Sequence, residues 1–141
     1  MIEARRPVRA ASVLLSVAAL SAACAQHPKP RVQFPPPVVP PVGTVVTGVA
    51  SWYGPGYDGN RTSSGEVYDQ DALTAAHFDW AFGTLVRVTF LASGKSVVVR
   101  VNDRFPNHKG RIIDLSKGAA RAIGLIGPGT GQVRLEVVGP G

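Results

Sequence analysis

Residues Leu85 to Asn102 read LVRVTFLASGKSVVVRVN. Two valine-rich runs flank Ala92-Ser93-Gly94-Lys95, and β-branched residues on either side of a short glycine-containing turn predict a β-hairpin. TVVTGVASWY from Thr44 and QVRLEVV from Gln132 carry the same bias and read as further strands. One helix is predicted: Ser116 caps Lys117 to Ile123, and Gly124 ends it. Sixteen glycines and twelve prolines in 141 residues, with 45% hydrophobic content, describe one mostly β domain with a real core, plus appendages.

The N-terminus reads as a separate segment. Arg5, Arg6 and Arg9 precede an uncharged apolar run from Ala10 to Ala23, the pattern of a secretory signal and shorter than the roughly 20 residues a bilayer span needs. Cys24, the only cysteine, follows LSAA. It resembles the lipidated first residue of a bacterial lipoprotein, although Ser21 stands where that pattern prefers leucine. A solitary cysteine has no disulfide partner, which favours lipidation over ordinary cleavage after Ala23 or Ala25. Loss of residues 1–23 lowers the formal +6 charge to about +4, a mild basic excess that suits an anionic wall polymer and argues against a nucleic-acid partner. Residues 24–43 are too rich in proline for helix or ladder pairing and read as an extended spacer before a domain at 44–139.

RVNDRFPNHKGRIIDLS, Arg100 to Ser116, places Asp103 and Asp114 beside a valine-rich strand. Charges at the rim of an apolar barrel are costly to desolvate, so they either pair to hold a loop or act on a ligand. Asp103 follows its strand and sits next to Arg104 and near Arg100, either of which would make it half of an ion pair. Asp114 lies among Ile112, Ile113 and Leu115 and reads as a half-buried, mainly structural acid bonded to backbone amides of a neighbouring loop, with a direct role as the alternative.

GVASWYGPGYDGNRTSSGEVYDQDALTAAHFDWAFGTLVRV, then VVVRVNDRFP and GRIIDLS, resemble the RlpA family, the rare lipoprotein A proteins, over nearly all of Gly48 to Val138. The resemblance implies a six-stranded double-psi β-barrel with one short helix, related to expansins and barwin-like proteins. It implies a lytic transglycosylase that cuts between N-acetylmuramic acid and N-acetylglucosamine, in peptide-free glycan strands, and leaves 1,6-anhydro ends. The family's functional positions fall on Glu66, His77 and Asp103, with Asp114 a further recurrent acid. Phe105 stands where the family commonly has glycine.

In that reaction one acid serves both steps, protonating the leaving oxygen and then taking the proton of the attacking muramyl hydroxyl, so it must stay protonated close to neutrality. Asp103 is the expected acid, with catalysis weighed against the ion pair. Glu66 either holds a sugar hydroxyl, raises the pKa of Asp103, or is an idle loop residue; His77 either orients Asp103, binds sugar, or is structural. Tyr53, Tyr57, Arg104 and Phe105 are the expected substrate contacts, with Trp52 as readily a core residue. His108 shows no partner; neither metal nor cofactor is expected.

The expected partners are glycan strands of peptidoglycan and, through Cys24, a membrane; the protein is expected to be a monomer of the cell envelope. The chain shows no SPOR domain, so septal targeting is not implied. The competing class is an expansin-like module that binds polysaccharide without cutting it.

Overall fold

The computed structural model describes residues 31–106 and 110–141. Cys24 with its signal, and His108, lie outside them. Six strands, β1 (Val45–Trp52), β2 (Thr74–Ala76), β3 (Leu85–Phe90), β4 (Ser96–Asp103), β5 (Arg111–Leu115) and β6 (Gly131–Gly139), close into a barrel in the order β1-β5-β2-β4-β3-β6. β1 runs parallel to β5 and β2 parallel to β4; the other neighbours are antiparallel. Among the described residues, the mostly β barrel with one helix expected from the sequence is what forms.

The predicted hairpin is β3–β4, with Leu85 opposite Arg100 and Thr89 opposite Ser96. Alternation along β3 and β6 sends Val86, Val88, Phe90, Val133, Leu135 and Val137 inward, each at most 6% exposed. Ile113 and Leu115 of β5 join them at 0%. Close packing restricts size at Gly131, where an added Cβ would lie 2.4 Å from the Phe90 ring, and at Gly48, where it would meet Ile112 at 2.8 Å.

The helix α1 (Lys117–Ile123) has the bounds and caps read from sequence. Its alanines, Ala119 and Ala120, and Ile123 are fully buried. Gly124 closes it at φ 80°, the left-handed conformation that suits glycine. Residues 31–37 have no regular structure. The expected spacer nevertheless joins the fold at Val38, which pairs with Trp80: its N–H donates to the Asp79 carbonyl (2.6 Å), and its carbonyl accepts from Ala81 (2.7 Å).

Ser116 couples helix to barrel. Its Oγ accepts from Ala119 N (3.2 Å) and Thr74 N (3.3 Å) and donates to the Ala72 carbonyl (2.6 Å), all in a fully buried position. Ser116→Ala removes the cap and strands buried backbone groups, an expected loss of about 2–3 kcal/mol. Thermal melts should show a fall of roughly 10 °C; an unchanged midpoint would mean that this junction carries little stability.

Candidate active site

The barrel register lines up four residues on neighbouring strands. Ser51 of β1 pairs with Asp114 of β5, Asp114 with Ala76 of β2, and Ala76 with Asp103 of β4. The two aspartates therefore stand two strands apart, roughly 10 Å between backbones. Both line a cleft of about 390 Å³. Its walls come from Trp52 and Tyr53 at the end of β1, from Tyr57, Asn60 and Arg61 in the loop beyond, and from Arg104, Phe105 and Arg111.

Asp103 is the acceptor in every contact it makes. Oδ2 accepts from the Tyr53 hydroxyl (2.8 Å), and Oδ1 accepts from Ser63 N and Arg104 N, each at 2.8 Å. Neither ion pair weighed against catalysis forms: Arg104 donates to the carbonyls of His77 and Asp103 and lies 4.1 Å over the Phe82 ring, while Arg100 pairs with Glu66.

Asp114 is different. It sits between the core residues Ile113 and Leu115 and so projects from the other face of β5, where it is half-buried. Its partner is not the backbone amides expected from sequence but the Ser51 hydroxyl, which donates to Oδ1 at 3.0 Å. Burial is the main cause that pushes its carboxyl up to about 6, and the negative charge of Asp103 adds to it; the bond from Ser51 and the positive charge of Arg111 oppose.

Glu66 lies outside the cleft. Its oxygens accept from Asn102 Nδ2 (2.8 Å) and Arg100 (2.7 Å), which hold the carboxyl below its usual range. Together with Ser64 N donating to the Asn102 carbonyl (3.3 Å), these contacts moor the Thr62–Glu66 loop that delivers Ser63 N to Asp103. Glu66 therefore braces that loop.

His77 faces a second, apolar cavity of about 170 Å³ with Val46, Phe78, Trp80 and Ile112. Its ring stacks on Trp80 at 4.1 Å, and Nδ1 accepts from Asp79 N (3.3 Å) and Trp80 N (3.1 Å). Burial, then the Arg104 charge, lowers its pKa to about 4. The ring is thus neutral with its proton on Nε2, and the Asp79 carboxylate 3.5 Å from Nδ1 is not an ion-pair partner. It meets Asp103 through the backbone, His77 N donating to the Asp103 carbonyl (3.1 Å), and its side chain does not orient that carboxyl as expected.

Of the expected substrate contacts, Tyr57 is 56% exposed beside the cleft, and Tyr53 serves Asp103 while packing edge-on against Tyr68 at 4.7 Å. Phe105 is only 6% exposed, with Arg111 5.7 Å from its ring centre, so it is packed into the wall and offers no open stacking face. Arg111, Arg61 and Ser51 were not singled out from sequence. Arg111 carries a signal: a charge two residues from Ile113 in a β-branched run. Among the described residues, no group of three or more His, Cys, Asp or Glu side chains is placed to hold a metal ion.

A family model described as lytic transglycolase matches residues 45–135. A Campylobacter jejuni protein named endolytic peptidoglycan transglycosylase RlpA is 55% identical over 105 residues, covering 74% of this chain and 38% of that protein. A Synechocystis protein named probable endolytic peptidoglycan transglycosylase RlpA is 60% identical over 91 residues, 64% of this chain and 28% of that one. The chain thus spans less than two fifths of these relatives. Among solved structures, a mutant Clavibacter michiganensis expansin in complex with cellohexaose superposes with a TM-score of 0.56 at 23% identity, over 68% of this chain and 51% of that one.

The raised value at Asp114 fixes a sign. Between the ordinary 3.8 and about 6 the native state holds this proton more tightly than the unfolded chain, so the contribution of Asp114 to stability falls as pH rises through that window. His77, with its pKa lowered, acts in the opposite direction between about 4 and 6.5, so the whole-protein curve mixes the two. The difference between wild type and Asp114→Asn isolates the aspartate. The mutant should gain on wild type as pH rises from 4 to 7 in denaturant titrations; a mutant that loses ground over that range would contradict the burial effect.

Proposed function

The chain belongs to the RlpA family, and from that membership we propose that it is an exported, endolytic peptidoglycan lytic transglycosylase whose acid is Asp114. It acts in the cell envelope on peptide-free glycan strands, tethered through a lipid on Cys24. The observation that carries the reading is the half-buried Asp114 carboxyl, raised to about 6 in a cleft it shares with Asp103.

The chemistry requires one group that gives a proton and takes one back. Asp114 protonates the glycosidic oxygen as the bond to the muramyl anomeric carbon breaks. The muramyl 6-hydroxyl attacks that carbon, and its proton returns to Asp114 as the 1,6-anhydro ring closes. No water enters and no second carboxylate acts as nucleophile. Asp103 faces the positive charge that develops at the anomeric carbon; Tyr53, Ser63 N and Arg104 N hold it in place.

The sequence placed the acid role on Asp103. Three donors converging on Asp103 suit a group that stabilises positive charge, whereas burial at Asp114 favours the neutral acid. Tyr57, exposed at the edge of the cleft, offers a sugar ring an aromatic face.

Purified protein incubated with peptide-free glycan strands should yield 1,6-anhydro ends by mass analysis. Cleavage should decline as pH rises above about 6, as Asp114 loses its proton. Asp114→Asn should reduce it by about 10²–10⁴-fold while glycan binding and fold persist. Wild-type protein that binds the strands and leaves no anhydro ends would replace this reading with the expansin-like one.

A further inference from the structure

Within the barrel domain, from Val45 on, the described arginines fall into two sets. Away from the cleft, Arg87, Arg100, Arg121 and Arg134 each lie within 4 Å of a carboxylate. Arg61, Arg104 and Arg111 line the cleft, and among the described residues none has such a partner, although Asp103 and Asp114 line the same space. Unpaired guanidinium groups around a cavity are the signature of an anionic ligand.

The three are not equally available. Arg104 is committed to two carbonyls and the Phe82 ring, and Arg61 reaches out to the Gly65 carbonyl. Arg111 is half-buried, and among the described residues its guanidinium makes one hydrogen bond, to Ser51 Oγ at 2.9 Å, so that most of a five-donor fork has no described partner. It alone lines both the cleft and the apolar cavity beyond.

We propose that Arg111 is a specificity residue that pairs with the free carboxylate of a muramyl lactyl group at the edge of the cleft. The proposal rests on the glycan reading above. In a peptide-free strand each lactyl group ends in a planar carboxylate that matches the guanidinium fork; in a strand bearing peptides the same carbon is an uncharged amide. Arg111 therefore converts the loss of the peptide into binding energy at the site of cleavage.

The contact also reaches the acid. Arg111 donates to Ser51, and Ser51 donates to Asp114. The charged groups that shift Asp114 are Arg111 on its own strand and Asp103 on β4; Tyr53 after β1 and Tyr68 in the loop before β2 also face it, and its charge raises the pKa of their hydroxyls rather than the reverse. Arg111 is the positive member of this set and opposes protonation of Asp114. A substrate carboxylate that neutralises Arg111 leaves Asp114 more readily protonated, so the correct strand also keeps the acid in its working form.

The test uses the full chain and two muramyl tetrasaccharides, one with free lactyl carboxylates and one with those carboxylates converted to methylamides. Dissociation constants, kcat/KM and the pH profile of kcat are measured for wild type, Arg111→Gln and Arg111→Lys, with melting temperatures as the check on folding. Wild type should prefer the free acid by about 10- to 100-fold in binding and in kcat/KM, the share of a charge-assisted contact. Its basic limb in kcat should lie at higher pH with the free acid than with the amide. Arg111→Gln should lose the preference by losing the free acid alone, and Arg111→Lys, which keeps charge without the fork and stands in if the glutamine variant does not fold, should retain part of it. Equal handling of both saccharides by wild type, or equal loss of both in a folded variant, overturns the proposal. If neither is cut, the transglycosylase reading fails, and the ratio of dissociation constants still decides the role of Arg111.

Discussion

The parallel pairing of β1 with β5 is the constraint on which the site depends. It closes the barrel and sets Ser51 opposite Asp114. The same strand buries Ile113 and Leu115 completely, so Asp114 cannot leave the surface it occupies without pulling core residues with it. A carboxyl on the solvated tip of a loop would keep an ordinary pKa. Fixed on a strand, partly dried and offered one hydroxyl, this one is held toward its neutral form.

The remaining polar groups divide their tasks by which element carries them. Asp103 ends β4 and is gripped by donors from two loops, so its position depends on the Thr62–Glu66 loop being moored by Glu66 to Arg100 and Asn102. His77 belongs to another layer: its neutral ring, pinned to backbone N–H groups and stacked on Trp80, organises the turn after β2 to which Val38 is joined. Three residues that the family resemblance groups together thus stand in different places relative to the cleft. Asp103 lines the cleft, Glu66 steadies the loop that reaches Asp103, and His77 shapes the wall behind it.

What was legible in the sequence was local. The β3–β4 hairpin and the Ser116-to-Gly124 helix follow from turn and cap chemistry within a few residues, and both occur as read. β2 did not announce itself, because three residues, Thr-Ala-Ala, carry almost no periodicity, and its strand state comes from being sandwiched between β4 and β5. β5 was missed too, since Arg111 and Asp114 interrupt its apolar run. The residues of the site were mostly named, but their partners were not. Tyr53 and Ser63 lie 50 and 40 positions before Asp103, and Ser51 lies 63 before Asp114. Contacts that far apart are set by barrel closure, which is why neighbouring arginines, the alternative partners read from sequence, do not hold Asp103.

In the proposed reaction the proton needed for cleavage resides on Asp114 and is kept there by burial and by Asp103. A carbon-13 NMR titration of the aspartate side-chain carboxyls, in wild type and in Asp103→Asn, tests it most directly. The Asp114 carboxyl should titrate at about 6 in the wild type and move to lower pH when the charge at Asp103 is removed. An Asp114 carboxyl that titrates near the ordinary 3.8 and ignores the Asp103 substitution would contradict it.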